Sequence, residues 1–556
     1  MLLLIQVKRL RLFRPEIESS TNNKKNTFPE NVFFRYNFCF LEWFMFGQAE
    51  KTSFGTIRSY FWPVHAHEAR KLLPMVVILA LVVLNYTILR NLKDSLVITA
   101  EGSGAEVIPF IKLWVMFPAA VGSAALFSYL LNRFSRSTVF QSIIIAFLLF
   151  FTFFCYFIYP NKDFLHPTQS ADFLEGILPL GCKGLIAMYR NWTLTVFYVV
   201  SELWGSMVLQ VLVWGFANEI TKVSEAPRFY GVMVIASNTA TVCAGQVAVA
   251  LSGSADSVSA GEDVWVHSLT NLLSFIVVIG FAVLMVFRWM NARVLTNPEY
   301  VPQETEKMKK EKKRLSFTES LACLTNSKYL LSIATVVVSY NLLINLVEVI
   351  WKDRLRLLYP ATNDFNIYIN NLVTITGVVS TITSIVLVGV IHRLGWTITA
   401  LLTPIILLVT AFAFFACIFA GDAISPFALT LFNTTPLAMA VFFGSFQNCF
   451  SKAAKYSIFD VTKEMAFIPL DKEEKMKGKA AIDGVGSRMA KSGGAAIHQG
   501  LLLAFGTLTA SAPYVSAIVF LVAAGWMAAV YHLGKQFKEF SKEPDLAPVT
   551  VKTTNS

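Results

Sequence analysis

Arg90, Lys93 and Asp94 interrupt an apolar run in YTILRNLKDSLVITAEGSGAEVIPFIK (Tyr86–Lys112). Glu202 stands among apolar neighbours in VVSELWGSMVL. Glu348, Lys352, Asp353 and Arg354 cluster in INLVEVIWKDRL, and Lys452 and Lys455 in QNCFSKAAKYS. Lys479, Arg488, Lys491 and His498 follow one another in KGKAAIDGVGSRMAKSGGAAIHQG. A charged side chain deep in a membrane helix costs at least about 2.5–3.5 kcal/mol on insertion scales, so such residues usually face a polar cavity. Several Lys and Arg with a few carboxylates around one cavity suit a multiply charged anion, with phosphate esters the obvious class. Other readings stay open. Arg90 and Lys93 could snorkel to the headgroups. Asp94 could pair with Arg90, four residues earlier on the same helix face. Glu202 could be a buried carboxylate that holds helices together. Asn218 and Glu219 in WGFANEI could be gate contacts, with Asn218 a candidate for direct ligand contact.

Hydrolytic and metal chemistry find no support in the residues. GVGSRMAKSGG superficially resembles a phosphate loop, but GxxxxGK[ST] with Lys491 needs glycine where Val485 and Ala490 stand. No nucleophile–base motif, CxxC pair or HExxH emerges. The expectation is therefore a transporter rather than an enzyme, with no catalytic residue, no metal and no cofactor.

The elements that must position these charges are membrane helices. The chain of 556 residues is 55% hydrophobic and 15% charged, where a soluble domain is near a quarter charged. Apolar windows of roughly 20 residues, enough to cross about 30 Å, recur from Leu72 onward. They begin near positions 73, 107, 138, 193, 228, 267, 328, 367, 397, 426, 480 and 513, with LIAMYRNW a short interfacial helix before the fourth. The loops alternate by charge. NRFSRS, TKVSEAPRF, HRLGW and KEEKMKGK are basic, whereas EGSGAE, YPATNDF and FAGDAISP lack Lys and Arg. The positive-inside rule then places both termini in the cytoplasm, and the net charge of +11 belongs to those loops rather than to a nucleic-acid partner.

The basic stretch near 296–325 divides the spans into two sixes, at 72–295 and 326–540, and reads as a linker lying against anionic lipid headgroups. Residues 1–71 form a cytoplasmic leader, of which 1–44 are expected to come from an upstream start codon, and 541–556 form a cytoplasmic tail. An ordered echo supports the division: KDSL (Lys93–Leu96) and KDRL (Lys352–Leu355), NRFS and HRLG, EITK and DVTK. The expected fold is all-α and polytopic, with about twelve transmembrane helices in two pseudo-symmetric six-helix halves of the major-facilitator kind.

Several long polar-rich motifs closely resemble the bacterial and plastidic ATP/ADP translocases over roughly Thr52 to Lys538. They are the Tyr86–Lys112 stretch, SELWGSMVL with WGFANEITKVSEAPRFY, INLVEVIWKDRL, QNCFSKAAKYSIFDVTKEMAFIPLD and KGKAAIDGVGSRMAKSGG. IRSYFWPVHAHEARKLLPM looks most like the chlamydial branch of that family. The resemblance implies exchange of external ATP for internal ADP, with phosphate leaving alongside ADP, across the inner membrane of an intracellular bacterium. Proton-coupled import of several nucleotides is the other activity it allows. It carries the family's four transport-critical charges onto Lys93, Glu202, Glu348 and Lys479; from their own charge and position, Arg90 and Lys352 are expected to help them neutralise phosphate. The implied partners are ATP, ADP, phosphate and membrane lipid, with no obligate protein partner.

Overall fold

Short polar side chains begin several of the helices. Ser135, Asp263, Ser327 and Thr435 each accept a hydrogen bond from a backbone N–H two or three residues on, satisfying a donor that the first helical turn leaves unpaired. Glycine ends others. Gly395 (φ +75°) separates two long helices that otherwise run on as one, and Gly506 (φ +81°) closes another with its N–H on Leu502 O.

The computed structural model describes residues 64–222, 225–253, 263–297, 327–470, 472–479, 481–482 and 486–540. The expected upstream start within 1–44, most of the basic linker and the tail lie outside the described residues. In the first half the long helices are α1 (Ala66–Ile98), α2 (Val107–Arg133), α3 (Arg136–Ile158), α4 (Trp192–Ile220), α5 (Ala226–Leu251) and α6 (Val264–Arg293). In the second they are α7 (Lys328–Leu358), α8 (362–393), α9 (Leu394–Ala420), α10 (436–466), α11 (Ser487–Phe505) and α12 (Leu508–Phe540). No strand occurs among the described residues. Ten of these helices are long and apolar enough to cross a membrane. The other two, α10 and α11, carry the polar Gln447, Asn448, Lys452, Lys491, His498 and Gln499. A short helix, Lys183–Arg190, forms where the sequence predicts one before α4, and the region near 426 holds a short helix, Ser425–Phe432, before the turn into α10.

The two halves repeat one packing scheme. α1 packs on α4, α5 and α6, and α7 packs on α10, α11 and α12, each contact shifted by six helices. Between halves, α2 meets α11 and α5 meets α8. Small residues permit the second approach: a Cβ on Gly245 would fall 2.3 Å from Thr374 Oγ1, and one on Gly377 2.6 Å from Val242 Cγ2. The bundle is the major-facilitator-like arrangement that the repeat predicts. The end carrying the Lys/Arg-rich loops, where α1 begins and α12 ends, is called the basic end below.

One close contact sets the height of the site. A Cβ on Gly205 of α4 would lie 2.2 Å from Tyr86 Cε2 of α1, and Trp204 Nε1 donates to Val82 O at 3.3 Å. Gly205→Val should therefore force α4 off α1 and destabilise the protein by about 1–3 kcal/mol. The check is thermal melting of the purified protein in detergent, and an unchanged melting temperature would contradict the contact.

Candidate functional site

The charged residues of α1, α4, α7 and α10 meet in one alternating chain. Lys93 Nζ lies 3.3 Å from Glu202 Oε2 and 3.0 Å from Asp94 Oδ1. The other oxygen of Asp94 is 2.9 Å from Lys352 Nζ. Lys352 is in turn 3.3 Å from Glu348 Oε1, itself 3.9 Å from Lys452 Nζ. The order Glu202–Lys93–Asp94–Lys352–Glu348–Lys452 gives each interior member a neighbour of opposite sign on either side. Lys93, Asp94 and Lys352 are buried, at 3, 6 and 5% exposure, so they do not snorkel to a headgroup layer. The ring of Tyr198 lies under Lys93 Nζ at 3.6 Å, a cation–π contact that a desolvated ammonium favours.

Helical spacing explains how α7 presents its share. Glu348 and Lys352 are four residues apart and so share a face. Asp353, the repeat partner of Asp94, pairs instead with Arg354 at 3.5 Å. The two Lys-Asp motifs are equivalent in sequence but not in use, because only Asp94 spans the gap between halves. The sequence reading of Asp94 as a partner for Arg90 is replaced by this geometry: both its oxygens are taken by lysines.

Arg90 has no hydrogen-bond or ion-pair partner among the described residues, yet it lies within the fields of the Glu348 and Glu202 carboxylates. Lys112 joins it from α2, donating to Asn345 Oδ1 of α7 at 2.9 Å. Sequence reading missed Lys112 as a site residue. It sits near the end of its helix, where a snorkelling lysine is ordinary, and the signal that could have found it is a lone charge in VIPFIKLWVM. It falls in a π-helical segment, Ile111–Met116, a distortion frequent at functional sites. Arg90, Lys93, Lys112, Lys352 and Lys452 thus face Asp94, Glu202 and Glu348, five cations against three carboxylates. The excess of positive charge suits a polyanion. Lys491 lies exposed on α11, within the fields of Glu202, Lys455 and Arg90.

Lys479 and Asn218 are not brought into this cluster. Lys479 ends the short helix Lys472–Lys479, where it pairs with Glu464 and lies 5.5 Å from the centre of the Phe467 ring. The neighbouring Gly478 contacts Leu330, which is eighteen residues before Glu348, or about 27 Å along α7. Lys479 therefore belongs to the basic end in this conformation. Asn218 accepts a hydrogen bond from the Tyr230 hydroxyl between α4 and α5, also near the basic end.

The two ends are held differently. Asn91, Ser95 and Thr99 of α1 bond Asn370, Asn366 and Thr362 of α8 at 2.8, 3.2 and 2.7 Å. Steps of four on both helices, run antiparallel, make a zip. Gln246–Thr374 and Gln499–Pro109 extend the closure to α5 and α2. Among the described residues, every hydrogen bond between the halves lies toward the end opposite the basic loops. Towards the basic end, Phe117–Arg133 of α2 contains no buried residue. Among the described residues, ion pairs there stay within one half, as in Glu68–Arg228 and Lys71–Glu225.

Beyond the zip lies a cavity of about 890 Å³ lined by Lys162, Arg190, Glu101, Asp163, Asp263 and Asp364 among others. Carboxylates outnumber lysine and arginine there, so a polyphosphate would be repelled rather than held. His166 in its wall is kept below the usual imidazole range by burial and by Lys162.

Residues 47–537 match the family described as TLC ATP/ADP transporter. The chain is 44% identical over 505 residues to ADP,ATP carrier protein 1 of Chlamydia pneumoniae, covering 90% of this chain and 98% of that protein. It is 41% identical over 478 residues to the chloroplastic ADP,ATP carrier protein 1 of Arabidopsis thaliana, covering 86% and 75%. Among solved structures, a D-xylose–proton symporter superposes with a TM-score of 0.50 at 13% identity, covering 84% of this chain and 97% of the other. At that identity the likeness speaks to the fold.

The zip can be tested without any activity. Cysteines placed at 91 and 370 by Asn91→Cys and Asn370→Cys should be joined by a short bifunctional thiol reagent in native membranes. Absence of the cross-linked species under all conditions would rule out the α1–α8 register.

Proposed function

This chain belongs to the TLC ATP/ADP transporter family, and on that premise we propose that it imports ATP in exchange for internal ADP, by alternating access. The observation that carries the reading is the cluster itself, five cations and three carboxylates gathered between two helical halves, with Lys93, Asp94 and Lys352 buried. Arg90 and Lys112 have no carboxylate partner among the described residues and would meet the phosphates first. Lys93, Lys352 and Lys452 would exchange their carboxylate partners for phosphate oxygens, with Glu202 and Glu348 neutralising them between turnovers. Charge-assisted contacts of this kind are roughly twice as strong as neutral hydrogen bonds.

Closure at one end and separation at the other support alternating access, with this conformation open toward the basic loops. The loop charges support a cytoplasmic placement of that end and of both termini. The chlamydial relatives support the inner membrane of an intracellular bacterium as the location. Lys479 and Asn218 are then gate residues: Lys479 would leave Glu464 when the basic end closes.

Phosphate is part of the proposal. Swapping ATP⁴⁻ for ADP³⁻ carries one negative charge inward, which an inside-negative potential opposes by about 2.3 kcal/mol per 100 mV. Phosphate leaving with ADP carries one or two negative charges outward, as H2PO4⁻ or HPO4²⁻, and so cancels or reverses that transfer.

The test is uptake of labelled ATP by a bacterium expressing the protein. Uptake should be stimulated by internal ADP, chased by external ADP and indifferent to a protonophore, and internal phosphate should blunt its voltage dependence. Collapse of uptake with the proton gradient would point to proton-coupled import instead.

Two variants divide the roles. Lys93→Gln should lower exchange by at least about a hundredfold, consistent with about 3 kcal/mol for a buried charge left without its partner, while membrane insertion continues. Lys479→Gln should abolish exchange yet leave nucleotide binding to the detergent-solubilised protein within about twofold. Loss of binding in Lys479→Gln would return that residue to the substrate cavity.

A further inference from the structure

We propose that Asp94 is a latch that ties reopening of the zipped end to the presence of nucleotide, and so makes exchange obligatory. The inference deepens the exchange reading and rests on it. Among the described residues Asp94–Lys352 is the one ion pair that joins the two halves. Glu202 pairs within the first half, and Glu348 within the second. Asp94 also lies between Asn91 and Ser95, which bond α8. Opening the zip therefore means separating Asp94 from Lys352.

That separation strands neither charge. Asp94 keeps Lys93 at 3.0 Å, and Lys352 keeps Glu348 at 3.3 Å. What is given up is one desolvated pair, a finite barrier that a competing anion can lower. A nucleotide phosphate offers Lys352 the same charge-assisted contact that the carboxylate does. Once phosphate takes Lys352, no ion pair joins the halves among the described residues, and the α1–α8 zip rests on its neutral hydrogen bonds. Without nucleotide, no anion replaces Asp94 at Lys352, and the unloaded carrier crosses slowly. A carrier that crosses slowly when unloaded returns only with a counter-substrate. Asp94 touches no substrate in this scheme. It acts through Lys352 and is a positioning residue.

The test is uptake of labelled ATP by right-side-out membrane vesicles loaded with or without ADP, because continued uptake without internal ADP requires the empty carrier to reopen the zipped end. The wild type should accumulate label only when ADP is inside. Asp94→Asn should raise uptake without internal ADP about tenfold, the equivalent of about 1.4 kcal/mol, and Asp94→Glu should restore dependence on internal ADP. Unchanged dependence in Asp94→Asn, or complete loss of both fluxes from an inserted protein, overturns the latch. If Asp94→Asn does not insert, Asp94→Ser, which also removes the charge, is judged by the same criterion. A wild type whose uptake ignores internal ADP sinks the exchange reading itself, a separate outcome.

Discussion

Burying a charge away from water costs several kcal/mol per ion unless it is paired and hydrogen-bonded, and the bundle is arranged around that constraint. Six ionised groups from α1, α4, α7 and α10 lie in one line of alternating sign. Each helix contributes at a height fixed by its own packing. α4 descends close on α1 because Gly205 admits the Tyr86 ring. α10 approaches α7 because Gly444 admits Trp351, whose indole N–H donates to Ser445 at 3.1 Å. Removing any interior member of the line would leave two like charges as neighbours, so the line is stable as a set and sensitive at every point.

The same constraint explains why the two ends of the bundle use different chemistry. The zip between α1 and α8 is made of neutral amides and hydroxyls. A neutral hydrogen bond contributes about 0.5–1.5 kcal/mol net, so a few can be broken and remade without exposing a lone charge. The Glu68–Arg228 and Lys71–Glu225 pairs hold α1 to the start of α5 within one half. Such pairs belong where no separation occurs, because parting them would leave buried charges uncompensated. Fixed bonds within halves and exchangeable bonds between halves are what two rigid bodies rocking about one site require.

Much of this architecture is legible in the sequence, because helix positions follow from local signals. Apolar windows and the alternating charge of loops such as HRLGW locate the helices, and the echo of KDSL in KDRL marks the two halves. The tenth span shows the limit of such windows. The apolar run near 426 is broken by Asn433 in the left-handed region (φ 48°) and by Pro436 at a helix start, so the long helix begins later. Partner choice is not legible in the same way. Asn366 sits 271 positions from Ser95, and only the packing of α8 on α1 sets the register in which they meet. For the same reason the repeat singles out Lys352 but cannot tell that Asp94 turns to the other half while Asp353 turns to Arg354.

Lys112 escaped for a different reason, and it joins the site to a backbone feature that no side-chain pattern announces. The described residues include four named π-helical segments, and three adjoin the charged cavity. Ile111–Met116 contains Lys112, Trp204–Val213 starts two residues after Glu202, and Lys455–Phe459 follows Lys452. Phe154–Ile158 does not. An inserted residue widens the helix locally and rotates everything beyond it relative to the regular 3.6-residue repeat. Lys112 points at Asn345 across the gap between halves, while the rest of α2 towards the basic end has no buried residue. A regular helix would have to satisfy both faces with one phase. The π segment lets the cavity end and the open end of the same helix be phased independently, which a bundle that closes at one end and parts at the other demands of every helix crossing the site.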